Sequence, residues 1–147
     1  MSPFNFGPCL LENTKSRIIV LHEKKCKLTI NNTNQQALLK VQVDGCLVFP
    51  GSKCDWLIVI EETNVAFFVE LKGHDIDHGL DQLCNSIQNI ENRSNGFICN
   101  NFSEKKCLLI VFRSPKSSPE IQKAAILFKK RLNATLIVKG PIYKTCI

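Results

Sequence analysis

The sequence predicts an α/β fold, a sandwich built on a mixed sheet within one domain. Three observations carry this. First, 147 residues at 44% hydrophobic content match one domain with a real core. Second, "DWLIVI", "VAFFVELK" and "CLLIVF" are nearly unbroken apolar runs, the mark of strands buried on both faces. Third, the segment between the last two repeats its apolar residues with a helical period, so a helix joins two strands.

Taken in order, the first sixteen residues are weakly patterned, and Leu10–Ile18 is compatible with a short helix. "SRIIVLH" and "CKLTI" read as two short strands around the basic turn Glu23-Lys24-Lys25, and "NNTNQQ" as a loop. "ALLKVQVDG" alternates, with Leu39, Val41 and Val43 on one face. "CLVF" resumes it after Gly45, and Pro50-Gly51-Ser52 marks a turn. The next two runs are joined by the four-residue polar loop "EETN", which predicts an antiparallel hairpin. Ile76, Leu80, Leu83, Ile87 and Ile90 form one helical face behind a capping Asp75, and the crossover through this helix should be right-handed. After "CLLIVF", Ser118-Pro119 opens a second helix with Ile121, Ala125, Phe128 and Leu132 inward. "TLIVKG" is the last strand expected. No linker or repeat divides the chain, so residues 1–147 form one domain with its core at about 39–138.

Composition removes several function classes. No stretch reaches the roughly 20 apolar residues that span a bilayer, and the first sixteen residues lack the charged and apolar regions of a signal peptide. The eight cysteines stand singly, several within apolar runs, and no CxxC pair offers zinc spacing. They read as reduced, buried hydrophobes of a soluble, cytoplasmic protein. His74 and His78 are four apart but have no third ligand in view, so they read as surface or substrate-contacting groups. Phosphate-binding glycine loops and hydrolase elbows are absent.

Charge is segregated. From Asp44 to Glu91 there are nine acids against two bases, and from Lys105 onward ten bases against one acid, within a net +6. That fits an anionic partner touching both regions, with a cation bridging it to the carboxylates. A solvated basic surface is the plain alternative. Lys116, Lys123, Lys129, Lys130, Arg131 and Lys139 can neutralise phosphates without reading sequence. One Trp and one Tyr are few for a base-stacking platform, which favours duplex or structured DNA over single strands.

The candidate chemistry lies at the ends of the central hairpin. Glu70 and Lys72 project from one face of their strand, about 7 Å apart. Antiparallel pairing brings Asp55, at the start of the other strand, beside them. Two carboxylates and an ammonium suit Mg2+ or Mn2+, which take oxygen ligands and substrate phosphate oxygens. A turn aspartate beside a rim ion pair is the plain alternative.

Asp55…Glu70-Leu71-Lys72 resembles the signature of the PD-(D/E)XK nuclease superfamily. "GSKCDWLIV" followed by "FFVELK" is similar to archaeal Holliday-junction resolvases and to small uncharacterised bacterial members. The resemblance covers about Val41 to Phe112, roughly half the chain. It implies a restriction-endonuclease-like three-layer sandwich, a central mixed sheet flanked by helices, and Mg2+-dependent phosphodiester hydrolysis. By that resemblance Asp55, Glu70 and the Leu71 carbonyl hold the metal, and Lys72 orients the attacking water. Gln82 matches a glutamine that some branches carry on the following helix. It also shares a polar helical face with His78, Asn85 and Asn89, and a solvated face explains it equally well. The chain departs from the pattern in having Cys54 before Asp55 and no well-supported N-terminal acidic helix. Glu12, or Asp44 from the preceding strand, is the candidate for that further acid.

The reading is a nuclease acting on DNA. Cutting both strands takes two active sites, which a homodimer or a partner protein would supply. Its rivals are a non-catalytic nucleic-acid-binding module on the same fold and a protein-interaction subunit, for example of a defence system.

Overall fold

The computed structural model describes residues 5–46, 54–72, 75–93, 96, 101–112 and 118–147. The central hairpin forms as its two apolar runs dictate. β5 (Trp56–Ile60) pairs antiparallel with β6 (Val65–Lys72), in the register Trp56↔Val69 to Ile60↔Val65. Around it runs a six-stranded mixed sheet. β1 (Leu10–Thr14) and β4 (Leu38–Gln42) extend the antiparallel side, and β7 (Glu104–Val111) and β8 (Ala134–Lys139) add parallel strands in the order β1-β4-β5-β6-β7-β8.

Both parallel connections are helical, because parallel neighbours need a crossover. α1 (Ile76–Arg93) buries Leu80, Leu83, Ile87 and Ile90 on the sheet, and Asp75 caps it by accepting from the His78 amide at 2.9 Å. Gly79 lets this helix ride close, since a Cβ there would lie 2.7 Å from Leu109 Cδ1. α2 (Pro119–Leu127) is capped by Ser118 Oγ, which accepts from the Ile121 amide at 3.2 Å. It continues as a π-helical turn over Phe128–Leu132 and ends at Asn133 in the left-handed region. Phe128 is buried but Ile126 and Leu127 are exposed, so α2 lies more shallowly than α1.

The other face of the sheet departs from the expectation of flanking helices. It is covered by a second sheet, in which β2 (Ile18–Glu23) pairs antiparallel with β3 (Cys26–Asn31) and β3 pairs parallel with β9 (Ile142–Cys146). β5, β6 and β7 are apolar on both sides, so each side needs a cover. Leu21, Leu28 and Ile30 supply it here, packing on Ile58, Ile60, Phe67, Val69, Leu108 and Ile110. Among the described residues the fold is thus α/β, a mixed sheet with α1 and α2 on one face and a small sheet on the other.

Three further expectations are corrected. Leu10–Thr14 is strand β1 rather than a helix, an edge strand paired to β4 through its backbone. β9 follows the strand expected to be last. Its polar sequence "IYKTC" hides it, and its pairing with β3 creates it. The cysteines are not all reduced, because Cys9 and Cys46, 37 residues apart, are joined by a disulfide. The β1–β4 pairing brings these segments together, and sequence spacing does not reveal such a contact. Cys26, Cys54 and Cys107 are free and buried as expected. The turn expected at Pro50-Gly51-Ser52, Lys116 and His74 lie outside the described residues. Among the described residues, no helix is long and apolar enough to cross a membrane.

Closing a loop of this length contributes ~4 kcal/mol through the unfolded chain. Reduction with dithiothreitol, or Cys46→Ser, should therefore lower Tm by ~8–16 °C in a thermal melt. An unchanged Tm, with two extra thiols already titratable in the oxidised protein, would contradict the pairing.

Candidate active site

Asp55 is held from every side. Its amide donates to the Val69 carbonyl at 3.0 Å, and its carbonyl accepts from the Val43 amide at 3.1 Å. Its side chain turns along the sheet, where Oδ2 accepts from the Leu71 amide at 2.9 Å. Just before it, the Cys54 amide donates to the Oγ of Ser86, a fully buried residue of α1. The start of β5 is thereby fastened both to the neighbouring strands and to the helix behind them.

Glu70 lies within β6, only 2% exposed, and its Oε1 finds no hydrogen-bond partner among the described residues. Leu71 is buried and Lys72 is half-buried at the strand's end. These residues face a cavity of about 580 Å³ together with Asp44, Gln82, Phe112 and the segment Glu23, Lys24, Lys25 and Cys26. Such a volume lies within the range of small-ligand clefts.

Burial sets the electrostatics. It pushes the Asp55 carboxyl up to about 6, against the opposing hydrogen bond from Leu71, and nearby Glu23 adds to the rise. Burial, and after it the charge of Asp55, pushes Glu70 up to about 9, with Lys72 pulling it partly back. Two carboxyls so close in so little water cannot both ionise without a cation. At neutral pH the pair retains a proton.

The cavity gathers Asp55, Glu70, Leu71, Lys72 and Gln82, the residues expected to carry chemistry. Of the polar face of α1, only Gln82 reaches it, while His78, Asn85 and Asn89 are exposed. Of the two candidate further acids, Asp44 lines the cavity. Glu12 is exposed on β1 opposite Lys40, away from it. Lys123, Lys129, Lys130, Arg131 and Lys139 are exposed but line no part of it. Lys129, Lys130 and Arg131 precede β8, whose Ala134 pairs with Lys105. The cavity lies at the level where Lys72 pairs with Val111, ~20 Å further along β7. Lys139, opposite Ile110, is level with the cavity but two strands aside, its Nζ 5.9 Å from the Tyr143 ring.

Sequence reading missed Glu23, Lys24 and Lys25 as lining residues, and Ser86 as an anchor. Nothing local marks the first three, which arrive through packing of the second sheet. Ser86 stands four residues after Gln82 on the same helix, a spacing that could have pointed to it.

No group of three His, Cys, Asp or Glu side chains arranged to hold a metal ion occurs among the described residues. The donor set on offer is the carboxyls of Asp55 and Glu70, with Glu23 and Asp44 on the same lining. That suits Mg2+ or Mn2+, which keep waters and share substrate oxygens, better than an ion needing a full protein cage. Compared with protein-family models, with curated proteins and with solved structures, the chain matches none.

Raised carboxyl pKa values have a sign for stability. Between about pH 4.5 and 9 the folded state binds a proton that the unfolded chain has released, so stability falls as pH rises. Melts in EDTA should show Glu70→Gln gaining on the wild type steadily across this window, reaching ~3–8 °C at pH 8. Parallel Tm profiles for the two proteins would refute the buried, proton-holding pair.

Proposed function

We propose that this chain is a metal-dependent nuclease that hydrolyses phosphodiester bonds in duplex or structured DNA, on a restriction-endonuclease-like fold of the PD-(D/E)XK superfamily. One observation carries the reading: Asp55, Glu70, Lys72 and Gln82 line a single cavity, in which the two carboxyls are too buried to ionise together without a cation. The mixed sheet and the placement of these residues just before β5, on β6 and on α1 support the fold assignment. The small sheet on the second face departs from the helices that the resemblance implies.

Asp55, Glu70 and the Leu71 carbonyl would hold Mg2+, or Mn2+ in its place. Bound there, the metal supplies Lewis-acid polarisation and offsets charge developing on phosphorus. Asp55 suits this role because its backbone and one carboxyl oxygen are already fixed, which leaves little freedom to lose on binding. Glu70 contributes the unpartnered oxygen, buried where water does not compete. Lys72 offers three N–H donors from the same strand. Its ammonium orients the water that attacks phosphorus and contacts the phosphate oxygens. Gln82 reaches in from α1 and positions the water or the phosphate through its amide. A homodimer or a partner protein would bring the second site needed to cut both strands.

The decisive assay incubates supercoiled plasmid, linear single strands and a four-way junction with Mg2+, Mn2+ or EDTA. The wild type should cut with metal and not in EDTA, while Lys72→Ala loses ~10²–10⁴-fold in rate and Glu70→Ala loses activity but not nucleic-acid binding. Binding without cutting under every condition would favour the non-catalytic module, and the absence of salt-sensitive binding would favour a protein-interaction subunit. Metal titration gives a second check. Because the carboxyl pair holds a proton, Mn2+ binding at pH 7.5 should release about one proton, seen by calorimetry in buffers of different ionisation enthalpy. No release, or equal release from Glu70→Gln, would count against the proposed ligands.

A further inference from the structure

The cavity has a wall that the catalytic residues do not explain. β2 ends at Glu23 and β3 begins at Cys26, so Lys24 and Lys25 form a two-residue turn. Lys24 has a φ of 53°, in the left-handed region where glycine is the ordinary choice. A lysine there costs ~1 kcal/mol in local conformation and places a cation at the tip. The tip docks across the ends of β6 and β7. The Cys26 thiol donates to the Lys72 carbonyl at 3.4 Å, and Lys25 Nζ lies 4.7 Å from the centre of the Phe112 ring. Both contacts hold the turn against the mouth of the cavity.

Charge gives the wall a task. The lining carries the acids Glu23, Asp44, Asp55 and Glu70 and the cations Lys24, Lys25 and Lys72. A nucleic-acid strand brings one negative charge per nucleotide, and the acids alone would repel it. Lys72 is committed to the scissile group. The helix-side cluster Lys129, Lys130 and Arg131 lies ~20 Å away along the sheet, too far to serve this cavity.

We propose that Lys24 and Lys25, at the tip of the β2–β3 hairpin, grip the phosphodiester backbone flanking the bond to be cut, making the second sheet a substrate-binding element. This rests on the nuclease reading of the cavity. The contact is to phosphate oxygens, so it tracks a backbone and reads no base sequence.

The test measures binding of fluorescein-labelled duplex DNA, and in parallel an RNA of the same sequence, by anisotropy across a KCl series with Ca2+ replacing Mg2+ to prevent cutting. Lys24→Gly with Lys25→Ala respects the turn's conformation and removes only the Lys25–Phe112 contact from the fold, so its Tm should stay within ~3 °C of wild type. It should bind at least tenfold more weakly at ~100 mM salt, with the slope of log K against log salt reduced by about 2. Lys24→Arg with Lys25→Arg should restore binding, while Lys129→Ala, Lys130→Ala and Arg131→Ala together stay within twofold of wild type. The parallel DNA and RNA arms tell which backbone the wall holds. Wild-type affinity and slope in the Lys24/Lys25 variant, or the larger loss in the helix-side triple variant, would overturn this proposal and leave the nuclease reading standing. A wild type that binds neither nucleic acid would remove both.

Discussion

The pairing of β5 with β6 is the constraint from which the rest of the structure follows. Its register sets Trp56 opposite Val69, which puts Asp55 one step beyond and within reach of the Leu71 amide. A slip of one residue would turn every side chain of β6 to the other face, exchanging Phe68 and Phe67 between the two cores and carrying Glu70 away from Asp55. Burial on both faces penalises that slip heavily, because each strand residue has its own apolar partners. The geometry of the site is therefore maintained by hydrophobic packing, to which the hydrogen bonds at Cys54 and Asp55 add.

The same double burial explains the electrostatic character of the site. Glu70 sits where a strand core would ordinarily place an apolar side chain, and its neighbours Val69 and Leu71 are buried with it. Water is largely excluded by the layers above and below the sheet, so burial holds the carboxyl in its neutral form. A protein shaped by stability alone would place no acid there. Such a cost at one position, set within a core that is otherwise well satisfied, is the pattern expected of a functional site.

The second sheet has two roles that share one cause. It exists because the far face of β5, β6 and β7 must be covered, and it covers that face with Leu21, Leu28 and Ile30. Once docked, its connecting turn has to overhang the end of the sheet where β6 finishes. Glu23, Lys24 and Lys25 are carried there by that packing. The concentration of bases after Lys105, so prominent along the chain, is distributed differently in space, with Lys129, Lys130 and Arg131 at the end of the sheet away from the cavity.

By itself, the sequence determined the elements whose signal is local and strong: the β5–β6 hairpin, the amphipathic α1 with its Asp75 cap, the buried β7, and the Ser118 cap of α2. Because strand alternation and antiparallel pairing are short-range rules, it also determined that Asp55, Glu70 and Lys72 meet. Gln82 is expected from the family resemblance alone, since a solvated helix face explains it equally well. Only the tertiary structure decided what covers the second face, since apolar strands demand a cover without specifying helix or sheet. It alone decided that β1 and β9 are strands, because edge pairing depends on a neighbour's free backbone groups rather than on a strand's own residues. It joined Cys9 to Cys46 and brought the β2–β3 turn to the cavity, contacts between segments far apart in the chain. Such contacts arise when layers pack, and no local pattern encodes them.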